Sequence, residues 1–194
     1  MKKKSVKKSA RSFIDAVAEI ERFVDDTSGL SDKYVSWCHD YAVIRLYTEF
    51  ESLMLSALTG AINNDTATSS ATVGVRLPKH LTDEVCEFLI LGTGYFDFKG
   101  RSGLISTLKR FVPESHYLVR IVKKTTYEDA LDRLVALRNF AAHSGERARL
   151  KVLEAVDQKR VGASGSWLKR QGRLSAIMDR LGALAAEIET AAPF

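Results

Sequence analysis

Apolar residues recur every three to four positions along most of this chain, and few segments alternate strictly between apolar and polar residues. Such spacing is typical of helices that pack through one face, whereas the strands of a half-buried sheet alternate. The pattern predicts a first helix over residues 12–26 and a much longer second helix that begins at Ser31 or Asp32 and reaches about residue 60. We therefore expect an all-α protein, an up-and-down bundle of four to six main helices.

The long second helix carries apolar residues around most of its circumference, which predicts a position inside the bundle. These apolar residues include Trp37, Tyr41, Ile44, Tyr47, Leu55 and Leu58. Glu51 projects onto the same arc, and a carboxylate there needs a partner because burying an unpaired charge is costly. Arg138 is a candidate partner, and contact with solvent is the equal alternative.

Turn-forming residues and shorter apolar runs divide the rest of the chain. Residues 63–79 are rich in Thr, Ser, Ala and Gly and predict an exposed connection. Short helices are expected over residues 82–91, 103–111, 114–124 and 147–156. Residues 162–166 predict a flexible link, after which Ser164 or Ser166 caps a final helix. The aromatic loop over residues 95–98 predicts a packed turn, with stacking on nucleic-acid bases as the less favoured alternative.

One predicted helix combines a regular apolar stripe with polar residues that suit chemistry. Thr125 and Glu128 have the spacing of a capping box, which predicts the helix start, and Gly145 predicts its end. Arg138, Asn139 and His143 lie near that end. An arginine and a histidine brought together there would suit an anion such as phosphate. The alternative is that His143 only ends the helix and that the Arg138 side chain is simply solvated.

Charge is distributed unevenly along the chain. Residues 1–11 carry six basic side chains and no acidic one, so they account for the whole net charge of +5. This composition predicts a basic flexible tail over residues 1–11, followed by a single domain over residues 12–194. A second basic excess surrounds the Arg138 helix and includes Arg147, Arg149 and Lys151, which we expect to bind a polyanion such as RNA.

Other classes of protein are not favoured by the sequence. Acidic residues follow the basic start, so no signal peptide is indicated, and no apolar run is long enough to span a membrane. We expect a cytoplasmic protein with two unpaired cysteines, Cys38 and Cys86. Phosphate-binding loops, dinucleotide fingerprints and metal-ligand spacings are missing from the sequence, so we expect neither a cofactor nor a metal.

The segment Leu137–Gly145, with Arg138, Asn139 and then His143, resembles the R-x4-6-H signature of HEPN-domain ribonucleases. The stretch Tyr41–Leu53 is similar to the second long helix of that superfamily. The segment Gly92–Gly100 resembles a bacterial subgroup named RiboL-PSP-HEPN. The likeness extends from about residue 12 to about residue 185.

This resemblance implies a HEPN-like fold and metal-independent cleavage of RNA by attack of the 2′-hydroxyl at a site shared by a homodimer. It implies catalytic roles for Arg138 and His143 and a supporting role for Asn139. Glu51, the candidate partner of Arg138, is a further candidate catalytic residue. Asn139 is expected to orient a partner or the opposing motif helix of the dimer. A toxin–antitoxin or phage-defence setting, with an antitoxin partner, is also implied. Two alternatives remain: a HEPN-like adaptor that binds RNA or nucleotide without cutting, and a basic helical DNA-binding or scaffold protein.

Overall fold

A computed structural model describes residues 3–94 and 96–193 of the chain. The described part is all-helical, which confirms the predicted all-α bundle. Its α-helices are α1 (Val6–Asp26), α2 (Asp32–Asn64), α3 (Thr66–Val73), α4 (Asp83–Leu91), α5 (Gly100–Lys109), α6 (Tyr117–Val122), α7 (Glu128–His143), α8 (Glu146–Ala155), α9 (Ser164–Leu168) and α10 (Arg173–Ala191).

The 33-residue helix α2 is the central element around which the other helices pack. Helix α1 lies against α2 and α10, and the ring of Phe13 meets that of Phe50 edge-on at 5.7 Å. On another side of α2 lies α7, which is flanked by α5, α8 and α9. One continuous apolar core connects these helices. The packing places α7, which carries Arg138 and His143, directly against the central helix.

Helix α1 begins at Val6, six residues earlier than predicted. Val6 and Ala10 are fully buried, and Ser5 caps the helix by accepting a hydrogen bond from the backbone N–H of Lys8. Lys4 also forms an ion pair of 2.6 Å with Glu87 on α4. The prediction of a flexible tail is therefore wrong for residues 6–11, because two buried apolar positions sit within the run of lysines.

Trp37 and Tyr41 on α2 were predicted to face inward, and that prediction is wrong. Their side chains are 55% and 56% exposed. Tyr47, about two to three helical turns further along, is 1% exposed, so the inner face of α2 runs through that residue. The helix therefore presents an aromatic face to solvent in its first turns.

Two segments that were predicted to be a connection and a link contain short helices. Asp65 caps α3 by accepting hydrogen bonds from the backbone and the side chain of Thr68. Residues Ser164–Leu168 form α9, so neither Ser164 nor Ser166 caps the final helix, which begins at Arg173 after Gly172. Each of these segments packs against α2.

The boundaries of α7 also differ from the predicted ones. A 3₁₀ turn over Thr125–Tyr127 precedes the helix, which begins at Glu128 without a side-chain cap. Ser144, with a φ of 47°, adopts the left-handed conformation expected of Gly145. Gly145 instead has a φ of −82° and leads directly into α8. This short junction keeps the end of α7 close to the start of α8.

Candidate functional site

Contacts from α9 fix α7 in place beside α2. The buried hydroxyl of Ser164 donates a hydrogen bond of 2.8 Å to the Leu137 carbonyl, next to Arg138. The backbone N–H of Gly165 donates one of 2.6 Å to Asp40 on α2. A Cβ atom on Gly165 would overlap the carbonyl of Ser36, so only glycine permits this close approach. The short helix α9 therefore connects α2 and α7 and sets the position of α7.

The Arg138 side chain is half-buried and held by two neighbours. Its guanidinium carbon lies 4.5 Å from the centre of the Tyr47 ring, a cation–π distance. Its Nη1 donates a hydrogen bond of 2.8 Å to the side-chain oxygen of Asn139. Asn139 therefore orients the arginine of its own chain, a contact that the sequence analysis did not anticipate. These contacts hold the guanidinium in position before any ligand binds.

Tyr47 connects Arg138 to the loop between α4 and α5. Its hydroxyl donates a hydrogen bond of 3.0 Å to Asp97, and its ring stacks on Phe98 at 5.1 Å. Burial, together with the negative charges of Glu51 and Asp97, raises the pKa of Tyr47, so the hydroxyl keeps its proton. The loop is thus packed through Phe96 and Phe98, as predicted, while Tyr95 lies outside the described residues.

Asp97 is a site residue that the sequence analysis did not single out. It lies between two buried aromatic side chains, Phe96 and Phe98, and is itself exposed. An apolar–polar–apolar triplet turns the middle side chain away from the core. That alternation was visible in the sequence, but the contact with Tyr47, fifty positions earlier, was not.

Glu51 is half-buried and close to this cluster. Burial raises the pKa of Glu51, while the nearby Tyr47 hydroxyl and the positive charge of Arg138 act in the opposite direction. Among the described residues it forms no ion pair within 4 Å. Arg138 is therefore near enough to influence Glu51 electrostatically, but the two do not form a direct salt bridge.

One face of α7, one face of α8 and the α4–α5 loop line a cleft of about 900 Å³. The cleft is lined by Arg138, Asn139 and His143 of α7 together with Arg147 and Lys151 of α8. Arg149 faces elsewhere and pairs with Glu146 at 3.3 Å. The structure thus brings together five of the seven residues predicted for the site, while Glu51 and Arg149 lie outside the lining.

The acidic residues at the far end of the cleft are held by partners. Glu128 pairs with Arg101 at 3.2 Å, and Asp129 pairs with Arg133 at 3.0 Å. Asp132 accepts a hydrogen bond of 2.8 Å from the backbone N–H of Arg101. Among the described lining residues, four basic side chains (Lys99, Arg138, Arg147, Lys151) and three acidic ones (Asp97, Asp132, Glu154) form no ion pair. The unpaired side chains of the lining therefore carry a net charge of +1, and Arg138, Arg147 and Lys151 are the groups among them that suit an anionic ligand.

His143 is exposed and is the last residue of α7. Its ring makes no hydrogen bond to the described residues, so both nitrogens face solvent and the cleft. An imidazole in this position can exchange a proton with a bound ligand, and the nearby guanidinium can hold two oxygens of a phosphate. The cleft therefore has the groups needed for proton transfer next to a phosphate.

Comparisons with known proteins leave the family open. No protein-family model, curated protein or solved structure matches this chain. Within residues 3–94 and 96–193, no cluster of three His, Cys, Asp or Glu residues could hold a metal ion. No helix in these ranges is long and apolar enough to cross a membrane. The HEPN likeness rests on the motif residues themselves and stays a prediction.

Proposed function

We propose that this protein is a metal-independent endoribonuclease that acts in the manner of the HEPN ribonucleases its motif resembles. The observation that carries the proposal is the cleft in which Arg138, Asn139 and His143 share one surface. Arg147 and Lys151 extend this surface along α8 and suit the phosphates that flank a scissile bond. Single-stranded RNA is the polyanion whose own 2′-hydroxyl can act as the nucleophile.

The proposed reaction is an internal transfer of the phosphate. The 2′-hydroxyl loses its proton and attacks the adjacent phosphorus, and the bond to the 5′-oxygen of the next nucleotide breaks. The products are a 2′,3′-cyclic phosphate and a free 5′-hydroxyl, the latter formed when the leaving oxygen gains a proton. In this scheme Arg138 binds the phosphate oxygens as negative charge develops, and His143 transfers a proton. Asn139 and Tyr47 keep the guanidinium in place.

The reaction needs both a base and an acid, whereas the described lining of one cleft contains a single histidine. A homodimer supplies a second histidine if the ends of the two α7 helices face each other across a two-fold axis. We therefore propose a composite site built from both chains. Sedimentation at micromolar concentration should give a dimer, and a strictly monomeric protein would contradict this part of the proposal.

Mixing wild type with an inactive variant tests the shared site directly. If the His143 side chains of the two chains are the base and the acid, a dimer of one wild-type chain and one His143→Ala chain lacks one of them and should be inactive. After chain exchange, activity should therefore fall with the square of the wild-type fraction. Activity that stays proportional to the wild-type fraction despite proven chain exchange would mean that each site is built within one chain.

Loss of cleavage in a histidine variant tests the activity itself. His143→Ala should abolish cleavage of total RNA and of tRNA in the presence of EDTA while leaving the fold intact, because the side chain is exposed. His80→Ala is a matched control, since His80 is also exposed and lies outside the cleft. Arg138→Lys should also be severely impaired, because lysine keeps the charge but loses the fork that grips two oxygens.

A second candidate function is RNA or nucleotide binding without cleavage. The single histidine in the described cleft lining favours it if the chain acts as a monomer. In that case RNA would bind in a salt-dependent manner, and His143→Ala would change only the affinity, since neither wild type nor the variant would form a cleavage product. A toxin–antitoxin or phage-defence role, with an antitoxin partner, is proposed only on the HEPN resemblance.

A further inference from the structure

A strip of exposed apolar side chains runs along the start of α2, away from the cleft. We call Leu30, Tyr34, Trp37 and Tyr41 the aromatic strip; their side chains are between 50% and 56% exposed. Tyr34 meets Trp37 edge-on at 5.3 Å, and Tyr41 meets Phe23 of α1 at the same distance. Three large aromatic side chains on adjacent turns form a continuous patch, and such patches mark interaction surfaces.

A groove of about 350 Å³ between α1 and α2 borders the aromatic strip. Ile20, Phe23 and Tyr41 contribute its apolar lining, and Glu19 and Arg45 contribute one charge of each sign. A groove of this size accommodates an anchoring side chain from another molecule. The strip and the groove together form an elongated surface of the kind that receives the apolar face of a helix.

The charges around this surface indicate the sign of charge that its partner carries. The half of α1 that borders the groove carries Asp15, Glu19, Glu21, Asp25 and Asp26, and none of them forms an ion pair with the described residues. Asp25 and Asp26 lie in the last turn of α1, where the helix dipole already concentrates negative charge. Of the neighbouring basic groups, Lys33 lies over the Trp37 ring, Arg45 pairs with Glu49, and Arg22 on α1 donates a hydrogen bond to the Ala18 carbonyl without forming an ion pair; the acids outnumber them. The surface therefore attracts cations.

We infer that the aromatic strip and its groove bind a basic amphipathic helix of another protein, with apolar side chains in the groove and Lys or Arg beside the acids of α1. Exposed Tyr and Trp rings add cation–π contacts to such a partner. A second copy of this chain is disfavoured, because a two-fold contact would set the same acids against each other. RNA is disfavoured because its phosphates would meet the same carboxylates.

Trp37 provides a direct readout, because the only other tryptophan, Trp167, is 8% exposed. The probe is a synthetic amphipathic helix of leucine and lysine, and its counterpart replaces lysine with glutamate. The lysine peptide should shift the tryptophan emission to shorter wavelength with an affinity that falls as salt rises. The glutamate peptide should leave the emission unchanged.

Two variants locate the binding surface. The double variant Glu19→Lys with Asp26→Lys should weaken the lysine peptide at least tenfold. Phe88→Ser should leave the affinity unchanged, because Phe88 is an exposed apolar side chain beside acids on α4, away from the strip. Equal binding of both peptides, no response of Trp37, or burial of Trp37 in a homodimer or by RNA would overturn the inference.

Discussion

Replacing Tyr47 with phenylalanine or with leucine separates the contribution of its hydroxyl from that of its ring. Phenylalanine removes the hydrogen bond to Asp97 but keeps the ring that makes the cation–π contact with Arg138. Because Asp97 is exposed, water can replace the lost donor, and the free energy of unfolding should fall by only about 1 kcal/mol. Leucine removes the ring as well, so Arg138 loses the surface on which it lies.

The leucine variant should lose more in both stability and activity. Its smaller side chain leaves space beside Phe98 in the core and should cost roughly 2–3 kcal/mol of unfolding free energy. Loss of the cation–π contact, worth about 1 kcal/mol or somewhat more, should release Arg138 from its position. We therefore expect kcat/KM for RNA cleavage by the leucine variant to fall roughly tenfold, equivalent to about 1.4 kcal/mol. The phenylalanine variant should keep kcat/KM within about threefold of the wild-type value.

The assay combines urea denaturation with cleavage of a fluorescent oligoribonucleotide in EDTA. Tyr127→Leu is the matched control, because Tyr127 is 3% exposed and also donates to a carboxylate, that of Glu187, at 2.8 Å. It does not contact Arg138, so it should lose stability without a comparable loss of cleavage at a temperature where it stays folded. Equal activity of the leucine and phenylalanine variants, or an equal loss in the control, would refute the positioning role of the Tyr47 ring.

Three further predictions concern the framework of the site. Gly165→Ala should lower the free energy of unfolding by at least about 2 kcal/mol, whereas the unobstructed Gly162→Ala should change it by less than about 0.5 kcal/mol in the same urea titration. Burial raises the pKa of Glu51 above 4.5, so the folded state loses stability as the pH rises past that value. Glu51→Gln lacks this titration and should gain stability relative to wild type between pH 4 and pH 7. A difference in unfolding free energy between the two proteins that does not change with pH would contradict this. Deleting residues 1–11 removes two buried side chains of α1 and should lower the melting temperature markedly, in contrast to the mild effect expected of a flexible tail.

Local patterns predicted the helices and the motif, but not the contacts between distant segments. The apolar spacing of α7 and the position of Arg138 and His143 near the end of one helix were readable because they depend only on neighbouring turns of that helix. The stacking of Arg138 on Tyr47 joins helices that are far apart in the chain, and spacing carries no information about such pairs. The role of Asp97 escaped prediction for the same reason.

The errors also have identifiable physical causes. Val6 and Ala10 are only two apolar positions within a run of lysines, so the charge pattern concealed the first turns of α1. Trp37 and Tyr41 are large apolar residues at helical spacing, but spacing alone does not tell whether such residues lie in the core or on the surface. Ser144 takes the left-handed conformation expected of glycine because Gly145, the next residue, already serves as the N-cap of α8.

The most direct test of the central claim is the chemical identity of the ends produced when the protein is incubated with RNA in EDTA. Mass spectrometry of the fragments should show 2′,3′-cyclic phosphates and 5′-hydroxyls with wild type and with His80→Ala, and neither with His143→Ala. The same ends produced at wild-type rate by His143→Ala, or a wild-type activity that disappears in EDTA, would contradict the mechanism built on Arg138 and His143.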